Sequence, residues 1–192
     1  MTEIEVMKKH ATHLEGEVGA EEKYLVQEEE YLMKLLNDLK KDPSAAEKDV
    51  DRALKFMRRK VGRTERYVNR GGTKVLGDMK ELERYLPAKL LAKLKTLEEP
   101  IQVLLNQFLA VFSRQQGEYV KELKELKTKV DVLEKEFKAK ERDDQKVYKL
   151  TAVVMASANA LLVRYKKMEK WLAGEIAVIK DYESFLDYLD QL

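Results

Sequence analysis

The chain has 192 residues, 44% of them apolar and 38% charged, with a formal net charge of +2 and no cysteine. That apolar fraction excludes a disordered chain, and the charge excludes a compact globule built around one large core. The missing cysteine excludes disulfides, thiolate catalysis and cysteine-based zinc sites. With 8 glycines and 3 prolines there are few places to turn, so the elements must be long.

The first element reads as a helix from Ile4 to Leu39. Its apolar residues Ile4, Met7, Ala11, Leu14, Val18, Leu25, Leu32, Leu35 and Leu39 follow the 3–4 spacing of a heptad seam. Glu21 and Glu28 occupy the two seam positions in the gap, leaving that stretch polar, frayed or covered by Tyr24 and Tyr31. Lys8, Lys9 and His10 interrupt the region where a signal peptide would carry its apolar core, so the expected location is cytoplasmic.

Asp42-Pro43 ends the first helix, and Ser44 with Glu47 reads as a capping box for a second. That helix is expected to run to Arg70 and to stop at Gly71-Gly72, a glycine C-cap. A third segment covers Thr73–Leu86, a short one Ala88–Leu97, and Pro100 is placed to start a long helix. In the long helix Leu105, Leu109, Phe112, Tyr119, Leu123, Leu126, Val130, Leu133 and Phe137 keep the heptad seam, with Gln116 as its polar member. Glu141–Gln145 reads as a turn. A last helix folds back from it and brings Val130 opposite Ser157. Within that helix, Leu150–Val163 is an uncharged run of fourteen residues, too short to span a bilayer, and reads as a buried segment.

The predicted fold is all-α. It is an elongated helical bundle with a long antiparallel coiled-coil-like hairpin, about 100–140 and 146–190, and shorter helices packed on it. Residues 1–192 form a single domain, with a possible division into 1–98 and 99–192.

Charge is segregated along the chain. Residues 1–42 hold 6 basic and 11 acidic groups, net −5, whereas residues 43–95 hold 15 and 7, net +8. In the second segment Lys48, Arg52, Lys55, Arg59, Arg63, Arg66 and Arg70 recur at helical spacing and fall within a sector of about 80°. An arginine-rich stripe suits phosphate, which guanidinium groups grip bidentately. It could track a nucleic-acid backbone or lie on an anionic membrane. Its counter-reading is internal, since Glu15, Glu22 and Glu29 of the first helix could cover it. Phe56 and Tyr67 border the stripe, where either an interfacial anchor or a core edge places aromatics.

His10, His13 and Glu17 share one flank of the first helix and form a weak metal candidate that lacks a further ligand. No nucleophile with an ordered base is legible, and the acidic, aromatic stretch Asp181–Leu192 reads as a helix end. The sequence therefore predicts a non-enzymatic scaffold or interaction protein, with no catalytic residues and no cofactor. Its basic face would bind nucleic acid or an anionic membrane surface without sequence specificity. A homo-oligomer or a helical protein partner fits the leftover apolar seams. Two alternatives stay open: a purely structural, self-associating coiled-coil assembly module, and a peripheral anionic-membrane binder.

Overall fold

The computed structural model describes residues 2–60, 65–108, 110 and 113–192. Six α-helices hold nearly all of them: α1 (Glu3–Lys41), α2 (Ala46–Lys60), α3 (Glu65–Glu83), α4 (Ala88–Gln107), α5 (Ser113–Phe137) and α6 (Asp144–Gln191). A single 3-10 turn, Pro43–Ala45, precedes α2, and no strand occurs among the described residues. The fold is all-α, as the periodicity requires.

Local chemistry sets the helix ends. At the start of α1 the Glu5 N–H donates to Thr2 Oγ1 at 3.2 Å and the Thr2 N–H donates to Glu5 Oε2 at 3.0 Å, a reciprocal capping box. Glu3 and Glu5 in its first turn and Lys40 and Lys41 in its last complement the helix dipole. Ahead of α2 the cap is Asp42, not Ser44. Its Oδ1 accepts from the Ser44 N–H at 3.0 Å and the Ser44 hydroxyl at 2.7 Å, because Pro43 starts a 3-10 turn before the α-helix begins. Asp143 caps α6, accepting from the N–H groups of Gln145 and Lys146.

Three expected boundaries are corrected. The helix expected over 44–70 appears as α2, ending at Lys60, and α3, beginning at Glu65; Val61–Thr64 lie outside the described residues. Nor is Gly71-Gly72 a C-cap, since α3 runs straight through it. A Cβ on Gly72 would sit 2.5 Å from Leu105 Cδ2 and 2.8 Å from its Cγ. The glycine is thus the notch that lets α4 press against α3, a non-local role. Gly71 faces Leu14 of α1 at ordinary contact distance. Pro100 does not start a helix either; it lies inside α4. Of the expected 100–140 helix, the described parts are the end of α4 and α5, while residues 109, 111 and 112 lie outside the described set.

The chain divides into two compact units. The first comprises Met1–Lys23, Gly62–Arg114 and Lys170–Leu192, and the second Tyr24–Val61 and Gln115–Glu169. Helices α1 and α6 each contribute to both.

In the first unit α1 meets α3 through His10–Asp78 and Leu14–Gly71, and α3 meets α4 through Gly72–Leu105. The ion pairs Lys8–Asp187 and Glu15–Lys180 join α1 to α6. Every one of these pairings is antiparallel. The core between them includes Leu14, Val75, Met79, Leu94, Ile101, Leu104 and Tyr182, all fully buried.

The second unit is an up-down-up-down arrangement of four helix segments. Along the α1–α2 side, Phe56 packs edge-on against Tyr24 and Tyr31, with ring centroids 5.9 and 5.8 Å away. Asp51–Lys127 at 2.9 Å joins α2 to α5. Between α5 and α6 lie Lys129–Ser157, Glu122–Arg164 and Tyr119–Tyr165, the two rings edge-on at 4.8 Å. The Lys129–Ser157 bond agrees with the local register expected from folding at Asp143. Helix α6 returns to α1, where Glu29 meets Glu169. In this ring α2 and α6 are diagonal, each flanked by α1 and α5.

The polar seam of α1 is buried and helical. Glu21 and Glu28 are 0% and 1% exposed. Neither carboxyl oxygen of Glu28 has a hydrogen-bond partner among the described residues, and burial pushes this carboxyl up to about 9. It is therefore protonated at neutral pH. Tyr165, whose hydroxyl is also buried without a partner, sits close enough to feel its charge.

The uncharged run is the last correction. The most apolar 18-residue stretch of α6 is only 22% buried. Val154, Ala158, Leu161 and Leu162 face inward, but Ala152, Val153, Ala156, Asn159, Ala160 and Val163 are exposed.

Candidate functional site

Helix α2 sorts its side chains by direction. Ala46, Val50, Ala53, Leu54 and Met57 are buried. Its acids point sideways to neighbouring helices: Asp49 hydrogen-bonds Asp38 of α1, while Asp51 and Glu47 reach Lys127 and Glu134 of α5. Burial, then the shared hydrogen bond with Asp38, holds the Asp49 carboxyl well above the usual carboxylate range. What remains outward is basic: Lys48, Arg52, Lys55 and Arg59 are exposed. Arg58 is exposed beside them and was not part of the sequence stripe, because at 100° per residue it falls outside the 80° sector.

The rest of the stripe divides. Arg66 and Arg70 are exposed on α3, in the first unit, and Arg63 lies outside the described residues. Among the described residues none of Lys48, Arg52, Lys55, Arg59, Arg66 and Arg70 makes an ion pair with a carboxylate. The Arg59 Nε–H instead donates to the Lys55 carbonyl, one turn back, at 3.4 Å.

Two of the three acids proposed to cover the stripe, Glu15 and Glu29, are engaged elsewhere. Glu15 meets Lys180 at 3.7 Å and hydrogen-bonds Glu183, and Glu29 hydrogen-bonds Glu169, all on α6. Phe56 is a packing residue, with the Lys60 ammonium 5.5 Å from its ring and 4.1 Å from that of Tyr24. Tyr67 stays half-exposed.

Chemically, the outward side of α2 is a row of cations spaced by one helical turn, about 5 to 6 Å apart along the axis. Successive phosphates of one nucleic-acid strand are separated by a similar distance. Among the described residues these guanidinium forks have no carboxylate at ion-pair distance, although Asp49 attracts Arg52 from farther off, and they can take consecutive phosphate oxygens without first breaking a close pair.

The histidines do not converge as a metal centre would require. His10 Nδ1 lies 2.7 Å from Asp78 Oδ2 on α3, while His13 Nε2 lies 3.3 Å from Glu17 Oε1 on its own helix. His13 and Glu17 line an open surface depression of about 670 Å³ together with Glu5, Lys8 and Thr12. A three-carboxylate grouping that sequence did not single out is Glu47, Asp131 and Glu134, whose ligand atoms lie within 4.8 Å of one another. Lys138 at 2.5 Å from Glu134 and a hydrogen bond between Glu47 and Glu134 already answer its charge. No local signal could have found it, since it joins two helices 84 residues apart at their closest members, Glu47 and Asp131.

The buried carboxyls Glu28, Glu29, Asp49 and Glu175 and the half-buried Glu183 all have raised proton affinity, with desolvation as the leading cause in each. They lie in the interior or at helix–helix seams. Comparison of the chain with protein-family models, with curated proteins and with solved structures returned no match.

Proposed function

We propose that this protein is a non-enzymatic helical scaffold that binds nucleic-acid backbone through the outward face of α2. The observation that carries the reading is the sorting of charge on that helix. Its acids are taken up by α1 and α5, and Lys48, Arg52, Lys55 and Arg59 are left exposed with no carboxylate at ion-pair distance among the described residues, Asp49 acting on Arg52 only from farther off. Binding is to phosphate and therefore blind to sequence.

Fluorescence anisotropy with a labelled random-sequence DNA or RNA duplex at low salt tests it. Binding that is lost on Arg52→Glu with Arg59→Glu, with helicity unchanged by circular dichroism, is the expected result. Absence of binding by the unaltered protein would refute the reading. A defined oligomer with no salt-sensitive ligand would favour the assembly-module alternative instead.

A further inference from the structure

A second outward face, on the first half of α6, has a different composition. Over Leu150–Val163 that helix carries no charge, yet Val153, Ala156, Ala160 and Val163 are exposed at 3–4–3 spacing. Val153 and Val163 expose 47% and 54% of their surface. With Ala152 and Asn159 they form an uncharged sector about 120° wide and about 15 Å long. The opposite side of the same turns is consumed by the bundle, where Val154, Ala158, Leu161 and Tyr165 are buried. The helix therefore packs against its neighbours and cannot cross a bilayer as an isolated span.

Both ends of the uncharged sector are basic. Lys146 and Lys149 precede it, Lys166, Lys167 and Lys170 follow it, and all five are exposed. Among the described residues only Lys146 has a carboxylate within ion-pair distance, Glu136 at 3.4 Å, while Lys166 feels Glu29 from farther off. No carboxylate lies on this face between Gln145 and Lys170; Glu169 points to Glu29, and Arg164 is held by Glu118 and Glu122. Tyr148, 78% exposed, stands at one end. On α1, Met33 is 47% exposed one turn beyond Glu29, on the flank that meets α6.

We propose that this face docks on an anionic membrane surface. The apolar sector enters the headgroup boundary with the helix axis parallel to the membrane. The lysine stems reach along it to place their ammonium groups among lipid phosphates and carboxylates. A second copy of the chain fits less well. A stable protein interface needs about 800 Å² per partner, far more than four small side chains supply. A two-fold pairing centred on residue 158 would also set Lys149 against Lys167 of the other copy. Nucleic acid fits poorly too, because an apolar strip offers nothing to phosphate. This inference does not rest on the α2 reading, since the two faces are diagonal in the second unit.

Co-sedimentation of the full chain with phosphatidylcholine vesicles containing about 30% phosphatidylserine, against pure phosphatidylcholine vesicles, tests the proposal. Binding to the anionic vesicles alone is expected. Each lysine near such a surface contributes a factor of about five, so Lys149→Glu with Lys167→Glu should lower the partition coefficient at least tenfold. Val153→Asp with Val163→Asp, at exposed positions that leave the core intact, should do the same. Arg52→Glu with Arg59→Glu on α2 should leave it within twofold. The proposal is overturned if the protein does not sediment with anionic vesicles at low salt. It is equally overturned if the α2 pair abolishes sedimentation while both α6 pairs leave it unchanged. Conversion from dimer to monomer by the Val153 and Val163 changes, without vesicle binding, would assign the strip to self-association instead.

Discussion

Helices α2 and α6 occupy diagonal corners of one four-helix unit, and their outward sides are near opposites. On α2 the exposed side is charged throughout, and its acids have been drawn to the flanks by α1 and α5. On α6 the exposed side is uncharged across fourteen residues, with lysines only at its ends. Composition alone would bury the second and expose the first. The structure exposes both, because a helix in a four-membered ring has neighbours on two flanks and none behind. Which residues meet water is decided by how many helices surround a segment, and periodicity does not report that number.

The largest expected effect separates the two faces. Charge reversal at Arg52 and Arg59 should weaken duplex binding roughly 100-fold at low salt, since two attractive contacts become repulsive. Measured by anisotropy, a comparable loss from Lys149→Glu with Lys167→Glu would erase the distinction between the faces.

Next in size is the buried seam of α1, where Glu28 lies near Tyr165 of α6. Glu28 holds its proton to about 9, whereas an unfolded glutamate releases it near 4.5. Below the unfolded value both states are protonated and nothing is lost. As pH climbs from there to about 9, the unfolded chain gains by ionising and the folded chain does not, so stability falls. Glu28→Leu should remove that decline and raise the unfolding free energy by roughly 3 kcal/mol at pH 8, with a smaller gain at pH 4. Urea denaturation at the two pH values checks this. An equal gain at both would show that Glu28 is not the titrating group.

How much of this was legible follows from how local each signal is. Helix α1 could be read to within two residues at either end because its heptad register carries through the two seam glutamates, both of which are buried there. The segregation of charge and the all-helical character of the described residues were equally plain. The role of Gly72 was not, because its reason is Leu105, thirty-three positions away. Pro100 was misplaced because a proline inside a helix and a proline at its first turn look alike in sequence. Arg58 was missed because exposure extends beyond the stripe that angular spacing selects.

Gly72 supplies a smaller prediction outside the two faces. Gly72→Ala forces Leu105 to move and should cost roughly 1–2 kcal/mol in urea unfolding. At Gly16 a Cβ would meet nothing within 4 Å, so Gly16→Ala should stabilise by about 0.5–1 kcal/mol. Both changes should leave duplex and vesicle binding untouched, which makes them controls for the face variants. The smallest effect belongs to Lys129→Ala, which removes an exposed hydrogen bond to Ser157 and should cost about 0.5 kcal/mol.

The central claim is that the cations of α2 meet phosphate directly. It is tested most directly by the salt dependence of duplex affinity, read by anisotropy between about 50 and 200 mM salt. Four contacts from Lys48, Arg52, Lys55 and Arg59 predict a log–log slope near −3.6, falling by about 0.9 for each cation replaced by alanine. A salt-independent affinity, or a slope unmoved by those replacements, would contradict it.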